Sequence, residues 1–344
     1  MTQIKLKAGF KCQLLMHLLM FFMLSVSSIS IAYAQKNIPI KTFPETVYFF
    51  AKNPNNSEIY ASTDNGILII DATTLKLISK ISLAGSPRGL DVSADGSKLY
   101  VATSALRQLA VIDIASRKIL PPIYLTWMPY DVRVGNHDRA YATPGDYGYN
   151  DAFHGIMMIN TITGKFIKEF SFPGLPLYYG STLLQISPDK NSLYFAATYP
   201  TLIKINVATD TPAIVIYWSF RGLQSEDLFM TPSGDYIYYA TGDNINRSDS
   251  LDRLRTTDLT AQGTLSVGQY PHAVATSPDG NTAYVVQKSS GAIQIWNTNI
   301  QQKQCELNTQ EDANKLFTDS KGLYLFAAFQ NELRIYNSSC ETKR

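Results

Sequence analysis

Apolar and polar residues alternate along this chain in short runs, and turn residues interrupt each run within a few positions. The stretch SPDGNTAYVVQKSSGAIQIWNT (277–298) shows the rule: a polar turn, the run TAYVVQ, a second turn at KSSGA, then IQIWN. Short alternating runs rich in β-branched and aromatic residues predict strands, and a DG pair marks a hairpin. No stretch of comparable length holds an apolar face at helical spacing.

The same unit recurs. Aligned on a tyrosine of the second strand, the copies are NPNNSEIYAST with Tyr60, SADGSKLYVAT with Tyr100, VGNHDRAYATP with Tyr141 and SPDKNSLYFAA with Tyr194. TPSGDYIYYAT with Tyr238, SPDGNTAYVVQ with Tyr284 and TDSKGLYLFAA with Tyr324 complete the set. A third strand closes each copy on Asp71, Asp113, Asn160, Asn206, Asp258, Asn297 or Asn337. Asp and Asn suit such corners because their side chains bond the backbone two residues on. An inner strand precedes each unit, as in RGLDVSA and HAVATSP, and an outer strand follows each corner, as in LKLISKISL.

Four short strands recurring at intervals of 40 to 53 residues are the pattern of propeller blades. The predicted fold is all-β: a seven-bladed β-propeller of four-stranded antiparallel blades. The seventh unit lacks an outer strand. KNIPIKTF (36–43) has the character of one, so the N-terminal strand is expected to complete the last blade and close the ring.

The first 34 residues change the picture. Lys5, Lys7 and Lys11 precede the apolar run LLMHLLMFFMLSV, no acidic residue occurs, and the segment ends in AYA. This is the pattern of a cleaved signal peptide, residues 1–34, ahead of a single propeller domain at 35–344. An uncleaved anchor is the alternative, but the run falls short of the roughly 20 residues a bilayer needs and His17 interrupts it. The remainder carries 27 basic against 28 acidic residues and no other long apolar run. Such a chain has no electrostatic reason to coat nucleic acid, and no membrane span is expected in the mature protein. Cys12 leaves with the signal, and the remaining pair, Cys305 and Cys340, is expected to form a disulfide in an exported protein.

SPDGNTAYVV and SADGSKLYVATSALRQLAVID resemble the YVTN-type repeats of exported seven-bladed propellers, and a looser resemblance covers residues 35–344. Blades 3 and 5 depart most from the pattern. The resemblance implies the fold, while the group spans surface-layer repeat proteins, lactonase-like propellers and propeller subunits of quinone-cofactor amine dehydrogenases. Function has to be argued from a site. Three functions are thus open: an exported, non-enzymatic binder of a small polar ligand or protein partner; the propeller subunit of a periplasmic oxidoreductase; or a lactonase-like hydrolase. The destination is the periplasm, cell surface or medium.

In a propeller, loops leading into the inner strands and loops joining second to third strands emerge on one face. Two of the latter are long: TPGDYGYNDAFHGI in blade 3 and TGDNINRSDSLDR in blade 5. They offer Tyr147, Tyr149, Asp151, His154, Asp243 and Asn244 as candidate ligand contacts. The residues opening the inner strands, Tyr48, Arg88, Tyr130, Thr182, Glu226, His272 and Asp312, are expected around the channel mouth. Arg88, Tyr130, Glu226 and His272 join the candidate binding set. A water-filled channel with polar walls is the plainer reading. No HExxH, CxxC, GxSxG, Walker A or Rossmann pattern occurs, so no catalytic residue, metal or cofactor is assigned.

Overall fold

In blades 2, 4 and 6 the hairpin between first and second strands is built from its own side chains. In SADG, Ser93 Oγ donates to Asp95 at 2.6 Å, and Asp95 also accepts the amide of Ser97. SPDK and SPDG repeat the arrangement through Ser187–Asp189 and Ser277–Asp279. The corner after the third strand is equally local. Asp71 accepts the amides of Thr73 and Thr74 at 2.7 and 2.9 Å, and Asn297 does the same for Asn299 and Ile300.

The computed structural model describes residues 37–145, 155–171, 183–196, 201–208, 214–218, 224–242 and 249–340. Within the unit Lys36–Arg344 they form seven four-stranded antiparallel sheets, six of which are built from consecutive strands. The seventh joins Lys315–Thr318, Tyr324–Ala328 and Leu333–Asn337 to the N-terminal strand Lys41–Phe43. Lys41 lies opposite Ile335 and Phe43 opposite Leu333. Asn37 and Asn308 exchange two hydrogen bonds at 2.8 Å, tying the same end to the outer strand of blade 6. Cys305 and Cys340 are disulfide-bonded, with Cα atoms 6.0 Å apart. Among the described residues no helix is long and apolar enough to cross a membrane.

The core lies between blades. Seven apolar clusters occur, and each draws on two successive blades, the last on blades 7 and 1. The repeat tyrosines sit in these seams; the Tyr60 hydroxyl donates to Glu58 of its own blade at 2.5 Å, while four others cross the seam. Tyr194 of blade 4 donates to the carbonyl of Thr256 in blade 5 at 2.9 Å. Tyr100, Tyr238 and Tyr284 reach Thr161, Thr298 and Ser338 of the next blade in the same way. Each partner is the residue just after a third-strand corner. Glycine completes the seam: a Cβ on Gly234 or Gly322 would come within 2.6 Å of Pro188 or Pro278 of the preceding blade, and both have φ between 68 and 79°.

Two alignments differ from expectation. In blade 7 the residue in the tyrosine slot is Phe326, fully buried, whereas Tyr324 opens the strand and is only half-buried. Phe326 packs against Ala72 of blade 1 in the seam that closes the ring. In blade 5 the third strand ends at Arg255, and Asp258 lies in the following turn, where it pairs with Arg255 at 2.8 Å.

Two outcomes are expected. Tyr194→Phe should cost about 1 kcal/mol in urea unfolding, while Phe326→Tyr should cost about 1–3 kcal/mol by burying an unpaired hydroxyl; equal, negligible effects would remove the seam assignment. Replacing Cys305 and Cys340 by Ser should lower stability by about 4 kcal/mol in the loop-entropy model, read against the oxidised protein, and an unchanged midpoint would show that the clasp adds nothing.

Candidate functional site

Five inner strands carry a register irregularity at one level of the channel. It falls at Tyr48, Arg88, Tyr130, Glu226 and His272, and bulges of this kind re-aim side chains. By register Lys315 of blade 7 matches Ala273 of blade 6, so the seventh position belongs to Asn314 and not to Asp312. Asp312 lies two residues earlier because the strand starts later than the sequence pattern suggests. Its carboxylate accepts the amides of Ser289 and Gly291, which holds the KSSGA loop. Thr182, Tyr147, Tyr149, Asp151, His154, Asp243 and Asn244 lie outside the described residues.

The mouth residues form two clusters. In the first, the Arg88 guanidinium stands 4.0 Å from the centre of the Tyr48 ring, and Tyr48 donates its hydroxyl to Asp64. In the second, Glu226 accepts the Tyr270 hydroxyl at 2.8 Å on one oxygen and His272 Nδ1 at 2.8 Å on the other. The Lys288 ammonium lies 4.4 Å from the Tyr270 ring centre. Burial by itself pushes the imidazole pKa down, but the hydrogen bond and charge of Glu226, with the charge of Asp227, outweigh it and leave His272 above 6.5. Glu226 thus favours the protonated imidazole of His272.

One residue deeper, side chains meet across the channel. The Tyr130 ring of blade 3 meets Phe49 of blade 1 edge-on at 5.5 Å. Lys315 of blade 7 pairs with Asp227 of blade 5 and lies 5.7 Å from the Phe49 ring centre. Asp131 pairs with Arg133 at 2.6 Å, and its burial raises its pKa against the opposing charges of Arg133 and Lys315. Gly89 is required here, since a Cβ would come within 2.1 Å of the Asp131 carboxylate.

Beyond the belt lies a cavity of about 570 Å³ with residues of all seven blades in its walls. It occupies the end that carries the first-to-second-strand hairpins, opposite the mouth. The sequence reading did not find the belt, the cavity, Tyr270, Lys288 or Asn314. A signal for the belt was present in PYDV and SEDL, where an aspartate follows the mouth residue. Among the described residues no group of three or more His, Cys, Asp or Glu side chains is arranged to hold a metal ion.

These features define a seven-bladed β-propeller with a polar mouth, a charged belt and an inner cavity. Residues 30–140 match the family model of the YNCE-like beta-propeller. A solved chain of Kuenenia stuttgartiensis Hydrazine Synthase is similar over 91% of this chain and 99% of its own length, with a TM-score of 0.69. Its 15% sequence identity makes this a likeness of fold. No curated protein matches the chain.

The His272–Glu226 pair sets a pH dependence. A histidine whose pKa is raised on folding contributes stability below its unfolded value near 6.5, and that stability is lost as pH rises through the folded value. Wild type should therefore exceed His272→Gln in unfolding free energy at pH 6, with the gap narrowing toward pH 9. A gap that is constant or widens with pH would show that the imidazole is not held charged.

Proposed function

We propose that this chain is an exported, non-enzymatic propeller that binds a small polar ligand or a segment of a protein partner at its channel mouth. The face is the one from which the blade 3 and blade 5 connections emerge. The observation that carries this reading is the recurring irregularity that gathers Tyr48, Arg88, Tyr130, Glu226 and His272 at one level. Arg88 and His272 offer donors, the tyrosines offer rings, and the scaffold beneath is fixed by seven packed seams. Such a setting favours recognition of a carboxylate-bearing ligand or peptide. Export rests on the charged and apolar pattern of residues 1–34 and accords with the Cys305–Cys340 disulfide, which suits an oxidising compartment.

A second reading, a scaffold subunit for an oxidoreductase whose cofactor sits on another chain, is favoured by one observation: the similar solved chain is that of an enzyme, hydrazine synthase. Residues 35–344, immobilised and exposed to the envelope or extracellular fraction of the source, separate the two. Retention of a partner that is lost in Arg88→Ala/His272→Ala, with melting moved by less than about 3 °C, supports the mouth site. Equal retention by the variant moves the site elsewhere, and co-purification of a coloured, cofactor-bearing chain supports the second reading.

A further inference from the structure

The mouth reading leaves the inner cavity without a role, and the chemistry of its walls is one-sided. Three carboxylates line it, and each is already engaged by backbone amides. Asp91 accepts the amides of Val92 and Val134, Asp189 that of Asn191, and Asp319 those of Lys321 and Tyr324. Four cations line it as well. Lys315 and Arg133 are held by the belt aspartates, and Lys190 lies 3.9 Å from Asp91. Lys52 differs: among the described residues its ammonium makes no hydrogen bond and no ion pair, though its backbone is paired in the sheet. It keeps much of its side chain in contact with solvent, yet desolvation by the surrounding protein lowers its pKa, with the charge of Asp319 as a smaller opposing influence. Lys52 lies in the cavity wall.

The apolar part of the wall is flat. Phe50 and Phe317 stack with ring centres 5.4 Å apart and planes 19° apart. Phe50 and Lys52 are two residues apart on one strand, so they share a face at a separation of about 7 Å. A ring surface and an uncommitted ammonium on one wall match a molecule with an apolar plane and an anionic end.

We propose that this cavity is a second binding site, for a small organic anion with a flat aromatic body, its charged group on Lys52 and its ring against Phe50 and Phe317. The site is separate from the mouth, because the belt of Phe49, Asp227 and Lys315 stands between them. Neither proposal depends on the other.

The test uses residues 35–344 and two probes of one shape, 1-naphthoate and its neutral amide, 1-naphthamide, followed by calorimetry. Saturable one-to-one binding of 1-naphthoate is expected, with the amide weaker by about fivefold or more. Measured in the Arg88→Ala/His272→Ala background, which removes the mouth's own anion-binding groups, Lys52→Gln should remove that difference and Lys52→Arg should restore it. Equal affinity for acid and amide, an unaltered preference in Lys52→Gln, or no saturable binding at millimolar 1-naphthoate would each overturn the assignment. Matching melting curves for wild type and the Lys52 variants keep the comparison free of folding effects.

Discussion

The structure depends on the seam between blades. A four-stranded sheet that is apolar on both faces has no stable state alone, and here each of the seven clusters takes one face from each of two neighbours. Every blade therefore needs two partners, and the chain can satisfy the first and last only by returning on itself. That is why Lys41–Phe43 is the fourth strand of blade 7. Asn37 and the disulfide then fasten the joint to blade 6 from both chain ends. The fully buried tyrosines supply area and a hydroxyl aimed across the seam, so one residue type provides both adhesion and register.

A ring fixed this way leaves each inner strand with one edge unpaired toward the channel, and the backbone groups on that edge need partners. Side chains from the blade before supply several of them. Asp91 reaches the amide of Val134, Asp131 that of Leu184 and Asp227 that of Val274, while Gln185 donates to the carbonyl of Leu228. These links join blades 2 through 6 around the channel. Asp131 and Asp227 also carry the belt, where Arg133 and Lys315 balance their charge. Removing one member would leave a buried charge unpaired, which costs far more than a surface pair returns.

The blades were legible because their signal is local and repeated. Hairpin serines, corner aspartates and seam tyrosines act within a blade or on the next one, so each copy shows the same residues at the same spacing. Slips occurred where one copy departs from the shared spacing. Phe326 holds the tyrosine slot of blade 7 two residues after Tyr324, and Arg255 takes a corner whose aspartate has moved three residues on. The mouth was legible in blades 1, 2, 3, 5 and 6 for the same reason as the hairpins. It failed in blade 7, where Asp312 is an acidic residue near the expected place but serves the neighbouring loop.

The interior of the channel was illegible for a different reason. Contacts such as Phe49 with Tyr130 and Lys315 with Asp227 join blades that are not adjacent, so no spacing in a repeat can announce them. Their side chains converge only after the ring has closed, and the volume left on either side is then set by their bulk. Blade 6 contributes Ala273 at this level and blade 2 contributes Gly89, small residues that give the larger side chains room. A propeller of the same seams with other residues at these seven positions would keep its fold and lose the division into mouth and cavity. Selection for binding and selection for folding therefore act on separable sets of residues: the seams carry the scaffold, while the bulged positions and the belt carry whatever chemistry the channel performs.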